Sequence, residues 1–216
     1  MPNHVQNILV ISGHKNHVEP MLKHLEDGDK KFSFNKIVPM PEELKGSRSP
    51  TLVVTQAEYN KFHYGKNFQG EQHFLPGGPI TKKMQKDWNE RFGADNWYDW
   101  ANNNWGTKWG SYDVDIHEPT YQSNGQMEIV IYFQTAWSSG AQTLAKLAKQ
   151  YPTINFYLRY ADEDCGYNTG EVWWEKGFTH ESNLPNYSMK NYFACWGGEE
   201  QWGCVDGEWK YIYEED

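Results

Sequence analysis

The sequence has few of the features that mark secreted or membrane-spanning proteins. Only three of its 216 residues are cysteine (Cys165, Cys195 and Cys204), an odd and sparse set that favours a reducing compartment over a disulfide scaffold. In an oxidising compartment, a disulfide between Cys195 and Cys204 is the alternative. No stretch approaches the roughly 20 apolar residues of a membrane span, and the first residues lack the basic and apolar segments of a signal peptide. We therefore expect a cytoplasmic protein without a membrane partner.

Positive charge is also scarce. Lysine and arginine together number 20 against 29 aspartate and glutamate residues, which gives a formal net charge of −9. Nucleic-acid binding relies on basic side chains that neutralise phosphates, so the balance argues against a nucleic-acid partner. Two interpretations of the acidity remain, namely solubility alone and complementarity to a basic protein partner.

Motifs for catalysis and for cofactor binding are missing as well. The chain has no Gly-x-Ser-x-Gly, no Walker loop, no dinucleotide fingerprint, no His-Glu-x-x-His and no Cys-x-x-Cys. The best candidate for a divalent cation is the acidic run 162–164, with Asp113 and Asp115 as further ligands, but its spacing fits no calcium loop and a solvated turn explains it better. We expect no catalytic residue, no metal and no cofactor.

Aromatic residues are what the sequence has in abundance. Hydrophobic residues make up 38% of the chain, but 16% of all residues are Trp, Tyr or Phe, and each such ring buries a large area. The densest run lies at residues 96–114, which hold four tryptophans and two tyrosines. This composition predicts an ordered globular protein, and it suits either a packed junction or a ligand surface at 96–114.

Apolar periodicity outlines the fold. The short apolar run within residues 5–11 predicts a strand buried on both faces. Alternation of period two predicts strands at 32–38, 127–134 and 154–160, and shorter strands are predicted at 112–116 and 172–174. Helical spacing predicts one helix around residues 18–25 and another around 144–151. Residues 42–110 have little alternation and predict a largely helical insertion, with helices at 56–64 and 81–92. We therefore predict an α+β protein with a ferredoxin-like βαββαβ antiparallel sheet, and an aromatic-rich C-terminal extension with a hairpin turn at 205–208.

Four segments resemble the YubB-like proteins of phages and plasmids. They are the N-terminal residues 1–7, the segment 32–41, the tryptophan motifs at 97–100 and 104–109, and Thr-Ala-Trp-Ser at 135–138. The resemblance covers roughly residues 1–175. It implies a ferredoxin-like domain at 1–175, a separate extension at 176–216 and a mobile-element context, and it carries no catalytic residues.

A binding protein is the function that these observations favour. The first hypothesis is a non-catalytic, counter-defence protein of a phage or other mobile element that contacts a host protein. The alternative is a sponge for a small molecule or nucleotide signal at the tryptophan-rich cluster. RNA binding across an open sheet face through Tyr132 and Tyr157, and a metal-dependent hydrolase, rank below them. The candidate ligand or partner residues are Trp97, Trp100, Trp105, Lys108, Trp109, Tyr112, Trp137 and Arg159.

Overall fold

The computed structural model describes residues 3–63, 65–66, 72–73, 77–181, 187–205 and 208–211. The strands are β1 His4–His14, β2 Val53–Val54, β3 Gly65–Lys66, β4 Gln72–His73, β5 Ile80–Thr81, β6 Tyr112–Ile116, β7 Thr120–Tyr121, β8 Gln126–Ala136, β9 Asn155–Asp162, β10 Gly170–Glu175, β11 Phe178–Glu181, β12 Trp202–Val205 and β13 Glu208–Tyr211. The helices are α1 Lys15–His24, α2 Phe34–Ile37, α3 Gln56–His63, α4 Lys82–Phe92, α5 Trp97–Trp105, α6 Ala141–Gln150 and α7 Met189–Trp196, with a 3₁₀ turn at Glu199–Gln201.

One antiparallel sheet organises the chain. Its strand order is β11-β10-β9-β1-β8-β6, and β7 also pairs with β8. The central strand β1 pairs antiparallel with β8 on one side and with β9 on the other, so that Val5 lies opposite both Thr135 and Asp162. Segments 5–11 and 154–160 are therefore neighbours in one sheet, and the predicted α+β class is confirmed.

The core lies on one face of this sheet. Along β1 the odd-numbered side chains are buried and the even-numbered ones are half-buried, because successive side chains of a strand point to opposite faces. Leu9 and Ile11 belong to the same buried cluster as Met21 of α1 and Leu144 of α6. Both helices thus pack on the same face, as right-handed crossover connections predict.

The predicted strand at 32–38 is wrong. Residues 34–37 form α2, in which Val38 N–H bonds Phe34 O at 2.9 Å, and β6 takes the position beside β8. The apolar spacing is explained by packing, since Phe32 and Phe34 both contact the ring of Phe133. A short helical turn buries both rings without offering ladder hydrogen bonds to the sheet.

The described parts of the insertion at 42–110 contain the helices α3, α4 and α5 and the strand pairs β2–β5 and β3–β4. The predicted helix at 81–92 corresponds to α4. The helix predicted at 56–64 corresponds to α3, and its last residue, 64, lies outside the described residues.

The C-terminal part packs on the sheet face opposite α1 and α6. Helix α7 contacts β9 and β1, and the indole N–H of Trp196 donates to Ala161 O at 3.0 Å. Strands β12 and β13 pair as a hairpin; the predicted turn residues 206–207 lie outside the described residues. No helix among the described residues is long and apolar enough to span a membrane.

Candidate functional site

The tryptophan-rich run folds as helix α5 followed by a tight loop. Asn96 begins the helix by accepting a hydrogen bond from Asp99 N–H at 2.9 Å, a typical N-cap. Gly106 ends it at φ 76°, a conformation that favours glycine. The chain then turns toward the end of β8, where Lys108 N–H lies 3.5 Å from Ala136 O. The loop therefore brings Lys108 beside Trp137, which directly follows β8.

Lys108 lies between two indole rings. Its Nζ is 4.7 Å from the ring centroid of Trp109 and 4.8 Å from that of Trp137, within the range of cation–π attraction. The edge-to-face pairs Trp97–Tyr98 and Tyr98–Trp137 extend the set of rings. We name the residues Trp97, Tyr98, Lys108, Trp109, Tyr112 and Trp137 the Lys108 cluster.

Trp137 has an unusual backbone. Its φ is +70°, which costs free energy for a residue with a Cβ, and its side chain is 42% exposed. Two hydrogen bonds hold the conformation: its N–H donates to Asn3 O, and its carbonyl accepts from Asn168 Nδ2, both at 3.0 Å. The surrounding chain thus presents an indole at the surface.

Tyr112 closes the Lys108 cluster on the β6 side. Its hydroxyl donates to Thr135 O at 3.2 Å and lies 2.6 Å from His4 Nδ1. Burial, together with the negative charges of Asp113 and Glu163, raises the pKa of Tyr112 to about 12. The phenol is therefore neutral near pH 7 and serves as a hydrogen-bonding group.

Trp100 and Trp105 belong to the core. They are 4% and 7% exposed and contact each other edge to face at 5.3 Å between ring centroids. The indole N–H of Trp105 donates to Val38 O at 2.9 Å, and its carbonyl accepts from Thr143 Oγ1 at 3.0 Å. These two indoles connect the insertion to α6 and to the segment after α2, and neither presents a ring face to solvent.

Arg159 lies away from the Lys108 cluster. It projects from β9, and strands β1 and β8 separate it from β6. Its Nε donates to Glu171 at 2.9 Å and its guanidinium bonds Tyr157 Oη at 3.1 Å. The structure therefore brings together Trp97, Lys108, Trp109, Tyr112 and Trp137, whereas Arg159 belongs to the sheet face.

The acidic run after β9 stabilises the structure locally. Asp162 is 5% exposed and accepts hydrogen bonds from Asn3 Nδ2, from Asn168 Nδ2 and from the backbone N–H of Asp164. In the described part of the chain no group of three or more His, Cys, Asp or Glu side chains is arranged to hold a metal ion. The carboxylates at 162–164 thus stabilise the turn that follows β9 and fix the loop near Trp137.

The cysteines are all free thiols. Burial raises the pKa of Cys195 to about 12, so its nucleophilic thiolate form is rare at neutral pH. Burial also raises the pKa of Cys165.

A groove on the face opposite the core was missed by the site prediction. It has a volume of about 470 Å³ and is lined by Val10, Ser12, Glu128, Asn155, Phe156, Tyr157, Trp173, Trp174 and Glu175. Trp173 is 39% exposed and lies opposite Tyr157 in the ladder. Alternation in β9 was visible in the sequence and a strand was predicted at β10, but only the register shows that these side chains share one face.

Comparison with known proteins identifies a domain type. Residues 104–204, just under half of the chain, match a family model described as a ferredoxin-like domain in Api92-like protein. The matched range runs from the end of α5 to β12 and so passes residue 175, where the resemblance seen in the sequence ended. A crystal structure of a protein api92 from Yersinia pseudotuberculosis is similar at 9% sequence identity with a TM-score of 0.42, covering 87% of this chain and 100% of that chain. No curated protein sequence matches the chain.

Proposed function

We propose that this chain is a non-catalytic binding protein of a phage or other mobile element, which acts in the host cytoplasm by contact with a host protein in a counter-defence role. The observation that carries the proposal is the sheet face with exposed aromatic side chains. Trp173 and Phe178 are 39% and 72% exposed, and large rings at a surface are typical anchors of protein interfaces. The mobile-element context rests on the similarity to YubB-like proteins.

The domain that presents this face is, in the same proposal, a βαββαβ unit made of β1, α1, β6, β8, α6 and β9. The strand order β9-β1-β8-β6 and the antiparallel pairing support it. The insertion at 42–110 then enters between α1 and β6. In this proposal residues 1–175 form the domain and 176–216 form a C-terminal extension, which adds β11 to the edge of the sheet and packs α7 against β9 and β1.

The polar groups near the sheet ends support binding over catalysis. Asp162 is engaged by two asparagine amides and a backbone N–H, and the thiol of Cys195 and the phenol of Tyr112 are both held neutral by burial. Asp162 therefore has a structural role, and neither Cys195 nor Tyr112 is ionised near pH 7.

The test is affinity capture with matched surface variants. A tagged chain, the variant Trp173→Ala and the control Trp137→Ala are each used to capture proteins from bacterial lysate. We expect one host protein at near-stoichiometric amount with the wild type and with Trp137→Ala, and its loss with Trp173→Ala. If no protein is enriched at that level by the wild type, the proposed function is wrong.

The second candidate function is a small-molecule or nucleotide sponge at the Lys108 cluster. The observation in its favour is Trp137, whose strained backbone and 42% exposure are typical of ligand-contacting residues. Mass spectrometry of the denatured protein would detect a co-purifying ligand, and a nucleotide panel would raise the melting temperature of the wild type but not of Trp137→Ala. A flat thermal response with no retained ligand contradicts this candidate.

A further inference from the structure

We infer that the groove on the open sheet face binds an extended, basic peptide segment of the partner. We name the side chains of Val10, Glu128, Tyr157, Trp173 and Glu175 the sheet groove. This inference rests on the proposed function, since it states the chemistry of the protein that the chain would contact.

The register arranges the sheet groove in two rows that run across the strands. The first row is apolar and aromatic: Val10 lies opposite Tyr157, and Tyr157 lies opposite Trp173. The second row is polar: Ser12 lies opposite Glu128 on one side and Asn155 on the other. Glu175 follows Trp173 by two positions on β10 and so ends this second row. A peptide that lies across the strands would contact rings along one side and carboxylates along the other.

The charges of the sheet groove have one sign. Its two charged lining residues, Glu128 and Glu175, are both carboxylates and both exposed. Lys176 lies 3.4 Å from Glu175, but the two side chains are 80% and 54% exposed, and such surface pairs contribute little. With a net charge of −9 for the whole chain, the field around the groove favours a cationic partner and disfavours RNA.

The spacing of the two carboxylates favours a peptide segment over a single cation as the ligand. Glu128 and Glu175 are on strands three positions apart, a separation of about 14 Å at the usual distance between strands. An extended peptide advances about 3.4 Å per residue, so its residues i and i+4 are also separated by about 14 Å and point to the same side. A segment with basic residues four positions apart therefore matches both carboxylates.

The chain already uses the same chemistry internally. Lys108 is held between two indole rings, and the guanidinium of Arg159 lies 5.8 Å from the ring centroid of Tyr157 while it bonds Glu171. Arg159 thus covers one edge of the Tyr157 ring with a cation that a carboxylate neutralises. The adjacent Trp173 ring, stacked on one side by His180, presents its remaining surface to the groove.

The experiment titrates the full chain with three short capped peptides and follows backbone amide shifts by NMR. The probe is Arg-Thr-Val-Thr-Arg. One control, Gln-Thr-Val-Thr-Gln, removes the charge, and the other, Thr-Arg-Arg-Val-Thr, keeps composition and charge but changes the spacing. We expect the probe to shift amides of β1, β9 and β10 around Val10, Tyr157 and Trp173, with at least about fivefold weaker binding of both controls.

Matched variants locate the interaction. The double variant Glu128→Gln with Glu175→Gln should weaken probe binding about three- to fivefold, and Trp173→Ala should weaken it to a similar extent. The controls are Glu90→Gln on α4 and Leu52→Ala in the insertion, at a residue as exposed as Trp173; both should stay within about twofold of the wild type.

Three outcomes overturn the inference. They are equal binding of all three peptides, shifts confined to another surface, and a single-stranded RNA oligonucleotide that binds the groove more tightly than the probe. The peptide titration tests the basic-segment inference, whereas the lysate capture tests the proposed function. A captured host protein whose binding is unaffected by the double glutamine variant refutes the basic-segment inference and leaves the proposed function intact, whereas an empty capture refutes the proposed function itself.

Discussion

Asn7 connects the central strand to the start of α6, and its replacement by leucine should destabilise the protein strongly. The side chain is fully buried in β1. Its amide group donates to Val5 O and to Thr135 Oγ1, each at 2.9 Å. Its carbonyl accepts from the backbone N–H of Gly140 at 3.1 Å, where no side chain of the helix itself provides a cap.

The expected cost follows from the groups left without partners. Leucine is close to asparagine in size, so packing changes little. The substitution leaves the Gly140 N–H without its acceptor and removes the hydrogen-bond donor to Thr135 Oγ1. A buried polar group without a partner costs about 1–3 kcal/mol. We therefore expect a loss of about 2–4 kcal/mol in the free energy of unfolding, equivalent to a fall of about 5–15 °C in melting temperature for a chain of this length.

Urea unfolding followed by circular dichroism measures this loss. The matched control is Gln6→Leu, one residue earlier on the opposite, half-buried face, where we expect less than about 1 kcal/mol. Because Asn7 and Thr135 share a hydrogen bond, Thr135→Val combined with Asn7→Leu should be non-additive by about 0.5–3 kcal/mol. A loss below about 1 kcal/mol for Asn7→Leu, or additive effects in the double variant, would refute the argument.

Two further predictions concern the turn after β10 and the buried thiol. Lys176 and Gly177 both have positive φ, 52° and 78°, as a type I′ hairpin turn requires. Because asparagine adopts positive φ more readily than lysine, Lys176→Asn should raise the free energy of unfolding by about 0.5–1 kcal/mol in urea titrations. A decrease would contradict this account of the turn. Burial raises the pKa of Cys195 to about 12, so little of this thiol is ionised at pH 8. A variant that keeps only Cys195 should therefore react with a thiol reagent at pH 8 at least about a hundredfold more slowly than a variant that keeps only the exposed Cys204. Equal rates would contradict the burial of Cys195.

Much of the sheet could be predicted from local pattern. Strands β1 and β8 alternate along almost their whole length and β9 along its first half, and α6 places Leu144 and Leu147 on one stripe. Such patterns are strong because burial of one face demands them. The segment at 32–38 has the same alternation, but over only two buried rings. A helical turn buries these two rings as well as a strand would, because Phe133 contacts both of them from across the core.

The candidate site was predictable only in part. The sequence marked residues 96–114 as unusual, and the structure brings four of the other proposed residues, Trp97, Trp109, Tyr112 and Trp137, into one cluster with Lys108. It could not tell that Trp105 turns inward to bond Val38 O while Trp137, distant in sequence, turns outward over Lys108. Those outcomes depend on contacts between segments 30 to 70 residues apart, which leave no local signal.

Composition and periodicity by themselves determined that the chain is acidic and rich in aromatic rings, and that the strands at 127–134 and 154–160 have one apolar side. Only the tertiary structure decided which residues share the exposed side, because facing positions on β1, β9 and β10 are fixed by pairing register and not by neighbours along the chain. The grouping of two carboxylates with Tyr157 and Trp173 is a product of that register.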